Sequence, residues 1–154
     1  MVEINKWIKV FRLRTLPLSF SSILMAAFLA YYSGHFQLLI LILSLFTTLF
    51  LQVLSNLAND YGDAESGVDG PNRIGPIRGV YSGSITRHQM KIAIIFCGFF
   101  AFISGLILVI YAFGDQWLSL LIYLTLGIGA IVAAINYTMG ANPYGYFGLG
   151  DLFV

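Results

Sequence analysis

Residues 37–63 read QLLILILSLFTTLFLQVLSNLANDYGD, and the fold turns on how that stretch is taken. From residue 37 to residue 57 there is no Asp, Glu, Lys or Arg. Such a run matches the ~20 residues that carry a helix across a bilayer. Lipid enforces the helix, because it offers no partner to an open N–H or C=O. At the end of the run polar groups arrive together: Asn56, Asn59, Asp60 and Asp63, followed by Glu65 and Asp69.

Working outward, three more runs lack all four charged residue types: 16–32, 92–113 and 117–136. The expected fold is therefore all-α, a polytopic transmembrane helical bundle with four spans at 16–32, 37–57, 92–113 and 117–136. Composition agrees, since 10% of residues are charged where a soluble domain has about 25%. The net charge of +1 creates no field directed at nucleic acid, so no nucleic-acid partner is expected and the lipid bilayer is. The single cysteine, Cys97, lies within an apolar run; it forms no internal disulfide and reads as a small core residue. Basic residues precede the first span, but a small-residue cleavage site is unclear and more spans follow, so no cleavable signal peptide is evident.

Orientation follows from Lys and Arg. Lys6, Lys9, Arg12 and Arg14 precede the first span, and Arg73, Arg78, Arg87 and Lys91 lie between the second and third. The short links 33–37 and 113–116 hold none. Four spans put both basic clusters on one side, which the positive-inside rule makes cytoplasmic. The expectation is a multi-pass integral membrane protein, in the cytoplasmic membrane if bacterial, with its N-terminus and the polar loop of about 59–91 facing the cytoplasm. Gly62, Gly67, Gly70, Pro71, Gly75, Pro76, Gly79 and Gly83 punctuate that loop against a long helix. Ile74, Ile77, Val80, Tyr81 and Ile85 give it side chains to pack onto the membrane face.

If the second helix continues one or two turns past Leu57, Asn56, Asp60 and Asp63 fall at i, i+4 and i+7, and Asn59 pairs with Asp63 at i, i+4. They then share a stripe. Asp60 and Asp63 are separated by about 4.5 Å of rise, a spacing at which two carboxylates favour a cation between them. Asp69, arriving from the loop, can close the site. All-oxygen ligands suit a hard ion such as Mg²⁺, which takes few protein groups and shares the rest with phosphate and water. Arg73 and Arg78 follow within ten residues of Asp69, and arginine forks match phosphate oxygens. Acids and arginines at one membrane face point to a Mg²⁺-bridged diphosphate whose oily tail reaches into the bundle. The plain alternative, a polar surface loop whose acids pair with arginine or face water, stays open at this point.

The same residues carry a resemblance. "NDYGD", "SGVDG" and "RIGPIRGVYSGSIT" resemble the first aspartate-rich region of UbiA-type intramembrane prenyltransferases, and in particular the branch acting on 1,4-dihydroxy-2-naphthoate in menaquinone synthesis. "FRLRTLPLSF" resembles that branch's N-terminal signature, and "NYTMGANPYGYFGLGDLFV" its segment after the fourth span. The broad pattern Asn-Asp-x-x-Asp-x-x-x-Asp is matched by Asn59, Asp60 and Asp63; its last place falls on Gly67, and Asp69 supplies the acid, as in the naphthoate branch. The family has roughly twice this length and about nine spans of the ~20 residues a bilayer needs, with a second aspartate-rich loop. The chain is thus expected to be an amino-terminal portion, with part of the metal site elsewhere.

The resemblance implies a Mg²⁺-dependent enzyme that transfers a polyprenyl group from polyprenyl diphosphate to an aromatic acid, giving demethylmenaquinol with loss of carboxylate and diphosphate. It makes Asp60, Asp63 and Asp69 the catalytic acids. Asn59, Asp60, Asp63 and Asp69 would hold Mg²⁺–diphosphate, with Arg73 and Arg78 on the diphosphate. Arg14 would meet the aromatic carboxylate, or serve as a basic membrane anchor. Asn56 would orient an aspartate, or satisfy a helix hydrogen bond. Tyr137 and Tyr144 would line the path of an allylic cation, or be interfacial belt residues. His35 and His88 read as interface residues, Glu65 as solvent-facing and Asp115 as part of the outer turn. Asp151 takes the family's Gly-Leu-Gly-Asp/Glu position. Competing readings are another aromatic-acceptor prenyltransferase, an inactive truncated remnant, and a cation transporter subunit. A transporter places its acids within spans near the midplane, whereas these spans carry none. A CDP-alcohol phosphotransferase needs Asp-Gly-x-x-Ala-Arg, which "DGPNRIG" begins and then breaks.

Overall fold

Helix is the only regular structure among the described residues, 2–69 and 78–149 of this computed structural model. The elements are α1 (Val2–Phe11), a 3-10 turn (Leu13–Thr15), α2 (Leu16–Tyr32), α3 (Leu38–Ser66), α4 (Arg87–Phe113), α5 (Trp117–Asn136) and a second 3-10 turn (Tyr144–Phe147). Four helical stretches, Ile4–Tyr32, Leu38–Ser66, Arg87–Phe113 and Trp117–Asn136, are long and apolar enough to cross a membrane. Pro17 lies in the first turn of α2, where its missing N–H costs nothing.

α3 has 29 residues and runs well past Leu57. It stops at Gly67, whose left-handed backbone (φ 72°) forms the cap. α4 starts at Arg87, earlier than its apolar run, because Thr86 and Gln89 form a capping box. The Gln89 N–H donates to Thr86 Oγ1 at 3.2 Å, and the Thr86 N–H donates to Gln89 Oε1 at 3.0 Å. Residues 59–66 and 87–91, expected in the polar loop, are therefore helical. Gly62, expected to interrupt a helix, lies buried within α3. Its role is close approach, since a Cβ there would lie 2.2 Å from the Thr138 carbonyl oxygen.

The buried core gathers at the end of the bundle that carries the acids. Val10, Val53, Leu54, Leu57, Tyr61 and Met90 belong to it, with Ile85 from the loop and Ile94 and Cys97 from α4. Val80 packs against it, whereas Tyr81 is half exposed. Ile74 and Ile77 lie outside the described residues. α2 and α5 bury no residue and present Phe28 and Leu126 outward, as lipid-facing helices do. Phe50 of α3 stacks on Phe100 of α4 with ring centroids 5.3 Å apart. Polar ties also cross between spans: Thr47 Oγ1 donates to Ser104 Oγ at 3.0 Å, and Ser19 Oγ to Gln52 Oε1 at 2.5 Å. In a membrane such ties are worth about 0.6 kcal/mol on average, so packing of the apolar faces carries more of the stability.

Gly62→Ala is expected to lower thermal stability in detergent by about 1–3 kcal/mol, the usual penalty of overpacking. Gly127→Ala, where a Cβ meets nothing within 4 Å, is expected to leave it unchanged. Thermal unfolding of the two variants side by side checks the pair.

Candidate active site

The last turns of α3 bring the carboxylates to one end of the bundle. Asp60 is 1% exposed. Its Oδ2 accepts the Gly79 N–H at 2.8 Å and its Oδ1 the Val80 N–H at 3.0 Å. A negative acceptor for two consecutive backbone donors ties the returning loop to α3.

That tie sets Arg78, the residue just before Gly79. Its side chain is 7% exposed and lies between two acids. Nη2 donates to Asp63 Oδ2 in a close ion pair, and Nε lies 3.8 Å from Asp69 Oδ1. The Asp69 N–H also donates to the Asp63 carbonyl at 3.4 Å, folding the chain after Gly67 back toward the site. The three side chains sum to one negative charge. Arg78 Nε and Nη1 are buried and make no hydrogen bond among the described residues. A buried guanidinium with open donors is matched to an anion with several oxygens.

Tyr146, which sequence reasoning passed over, completes the cluster. Its hydroxyl donates to the second Asp63 oxygen at 2.9 Å and lies 2.9 Å from Ser66 Oγ. Loss of hydration, reinforced by Asp63 and Asp69, holds the phenol above its ordinary pKa, so it stays a donor at physiological pH. The turn that delivers it is fixed by Tyr137 and Tyr144. The Gly145 N–H donates to the Tyr137 carbonyl at 2.9 Å, and a Cβ on Gly145 would lie 2.6 Å from that oxygen. The Tyr144 hydroxyl donates to the Ala133 carbonyl at 2.8 Å, and the two rings meet edge to face at 5.4 Å.

Asp63, Asp69 and Arg78 are thus brought together, and Asp60 stands beside them facing backbone. The four-ligand set of Asn59, Asp60, Asp63 and Asp69 is not assembled: among the described residues no group of three His, Cys, Asp or Glu is placed to hold a metal ion. Asn59 Oδ1 accepts from Thr138 Oγ1 at 3.2 Å, and both Asp60 oxygens already hold N–H groups. Asp63, too, has a donor on each oxygen, Arg78 on Oδ2 and Tyr146 on Oδ1; a hard divalent ion commonly takes one or two carboxylates and completes its shell with substrate phosphate, and Asp63 and Asp69 are the carboxylates beside Arg78 that could supply them. The Asn56 amide donates to the Phe11 carbonyl at 2.9 Å, so it braces the α1–α2 junction. Arg14 is exposed on the first 3-10 turn, and Glu65, His35, His88 and Asp115 are exposed as well. Arg73 and Asp151 lie outside the described residues.

A helical membrane bundle with an Asp–Arg–Asp cluster at one end of its spans defines the class, and residues 19–154 match the UbiA prenyltransferase family. The chain belongs to that family. It is 48% identical over 148 residues to the 1,4-dihydroxy-2-naphthoate octaprenyltransferase of Escherichia coli (strain K12), covering 96% of this chain and 48% of that protein. The protein of the same name from Haemophilus influenzae (strain ATCC 51907 / DSM 11121 / KW20 / Rd) is 44% identical over 154 residues, covering 99% and 50%. The Bacillus subtilis (strain 168) protein of that name is 31% identical over 145 residues, covering 92% and 43%. The chain spans about half the length of these relatives. No solved structure gives a significant match.

Asp60→Asn replaces one acceptor oxygen by an NH₂ group facing a buried N–H. It is expected to destabilise the protein by about 1–3 kcal/mol, while Glu65→Gln leaves the melting temperature unchanged. A fall in melting temperature for the first variant alone is the outcome that marks Asp60 as a structural tie.

Proposed function

We propose that this chain forms the diphosphate-binding part of an enzyme that transfers a polyprenyl group to 1,4-dihydroxy-2-naphthoate. The observation that carries the reading is Arg78, buried between Asp63 and Asp69 with donors to spare at the end of a membrane helix. The chain's likeness to relatives bearing that enzyme name supports the substrates. The basic clusters favour the cytoplasmic side for this end.

Diphosphate enters as the ligand that the open donors of Arg78 and the acids with a divalent ion would share. Mg²⁺, bound by Asp63 and Asp69, would supply charge neutralisation for the leaving group. Arg78 holds the diphosphate oxygens as the allylic C–O bond breaks and its electron pair leaves with them, which is stabilisation of charge where it develops. Tyr146 fixes the orientation of Asp63 through their hydrogen bond. The apolar faces of the spans exclude water from the allylic cation. The ring carbon bearing the carboxylate attacks that cation; a C–C bond forms, CO₂ departs, and the electrons of its bond restore the aromatic ring. The product is a demethylmenaquinol.

Membranes carrying the intact protein are expected to prenylate 1,4-dihydroxy-2-naphthoate in a Mg²⁺-dependent manner. Asp63→Ala and Arg78→Ala should each slow transfer by about 10²–10³-fold, and Glu65→Ala should not. Absence of transfer by the intact protein, or full activity of Asp63→Ala, overturns the reading.

Tyr146→Phe removes only a hydroxyl that positions Asp63. It is expected to raise the Mg²⁺ concentration needed for half-maximal activity by roughly 10–100-fold, as loss of an outer hydrogen bond to a metal ligand does. A Mg²⁺ titration of the variant checks this; an unchanged half-maximal concentration would remove Tyr146 from the site.

A further inference from the structure

Arg78 stands where the two acids would draw a metal ion. Its Nη2 donates to Asp63 Oδ2, and its Nε lies 3.8 Å from Asp69 Oδ1. The other Asp63 oxygen accepts the Tyr146 hydroxyl at 2.9 Å. Both oxygens of that carboxylate therefore hold a donor, and one of the two donors carries a full positive charge. A guanidinium and a divalent ion are attracted to the same pair of acids and repelled by each other.

The guanidinium is at the same time only partly engaged. Nε and Nη1 are buried and make no hydrogen bond among the described residues, although a guanidinium has five N–H donors to place. Its backbone is pinned from the next residue on, because Asp60 holds the N–H groups of Gly79 and Val80 at 2.8 and 3.0 Å. A change of partner by the Arg78 side chain thus leaves the loop that carries it in place.

We propose, resting on the diphosphate site described above, that Arg78 is a resident cation that keeps a divalent ion off Asp63 until diphosphate binds. Before then the guanidinium offsets the charge of Asp63 and opposes a second cation. A diphosphate offers its oxygens to the open donors, and the guanidinium turns from Asp63 Oδ2 toward them. No covalent bond changes; one charge-assisted hydrogen bond is exchanged for others. The oxygen released on Asp63 is then open to a metal that the diphosphate shares. Tyr146 does not compete in this way, since a neutral donor leaves the charge of Asp63 in place. Metal and diphosphate bind together as a result. By reciprocity each raises the affinity of the other by the same factor, typically about 5–150-fold.

The test reads metal binding without turnover. Mn²⁺ serves as the probe, and electron paramagnetic resonance counts the free ion over the protein in detergent with no diphosphate present. Arg78→Gln removes one positive charge from beside the acids. It is expected to bind Mn²⁺ at least about 10-fold more tightly than the native protein, the scale on which a neighbouring unit charge alters a carboxylate. The direction follows from that change of charge alone. Arg78→Lys, which keeps the charge, should bind Mn²⁺ as weakly as the native protein does. Asp63→Asn should leave native binding unchanged, because Arg78 already holds that carboxylate, and in the Arg78→Gln background it should abolish the gain. Melting temperatures establish which variants are folded, and Asp63→Asn in the native background is decisive by itself where Arg78→Gln is not. Equal Mn²⁺ binding by native protein and folded Arg78→Gln, or a loss of binding in Asp63→Asn alone, overturns the proposal. Prenyl transfer is measured apart from these comparisons. A protein that transfers the prenyl group yet fails them refutes the resident cation and not the reaction; one that passes them without transfer refutes the reaction alone.

Discussion

One carboxylate accepting two neighbouring N–H groups holds this end of the molecule together. Asp60 is nearly inaccessible, and its two oxygens take the N–H groups of Gly79 and Val80. Each hydrogen bond to a charged acceptor is worth about 1.5–3 kcal/mol, and the loss of either would leave a buried donor. Everything local to the site follows from that tie. It seats Gly79 against Val10 of α1 and lets Ile85 enter the core. It also brings Arg78 between Asp63 and Asp69.

The cluster that results is a balance of like and unlike charges in a poorly solvated place. Two acids held this close would repel, and the guanidinium between them offsets much of that cost. Two carboxylates share one guanidinium, and Arg78 retains buried donors without hydrogen bonds among the described residues. Both features are unfavourable in a purely structural ion pair, which gains most when its donors and acceptors are all matched. They are suited to a site that takes up a cation and a polyoxyanion together. Tyr146 adds a neutral donor to Asp63, which steadies the carboxylate without cancelling its charge.

The membrane fold was legible because lipid permits few answers. Four runs free of charge, each near 20 residues, required four helices, and four spanning-length helices are present. The i, i+4, i+7 stripe was legible for the same reason of fixed periodicity, and α3 continues through all of it. What each acid does was not. Asp60 and Asp63 are equivalent by spacing, yet one holds backbone and the other a guanidinium, because the partners come from a loop whose path periodicity does not describe. Gly62 read as a helix breaker because composition cannot register the Thr138 carbonyl pressed against it. Tyr146 was invisible in that its partner lies 83 residues away, and interface tyrosines carry no local mark of a distant bond.

That separation sets an order of events during synthesis. Asp63 and Arg78 are 15 residues apart and meet as soon as the loop folds back. The phenol that finishes the first coordination of Asp63 comes 83 residues after it. At about 5–20 residues per second, the ribosome delivers it roughly 4 to 17 seconds later, once α4 and α5 have been made. Through that interval the hydrogen bond from Tyr146 is missing, while the ion pair with Arg78 can already form. The arginine is thus an early partner of the acid and the phenol a late one.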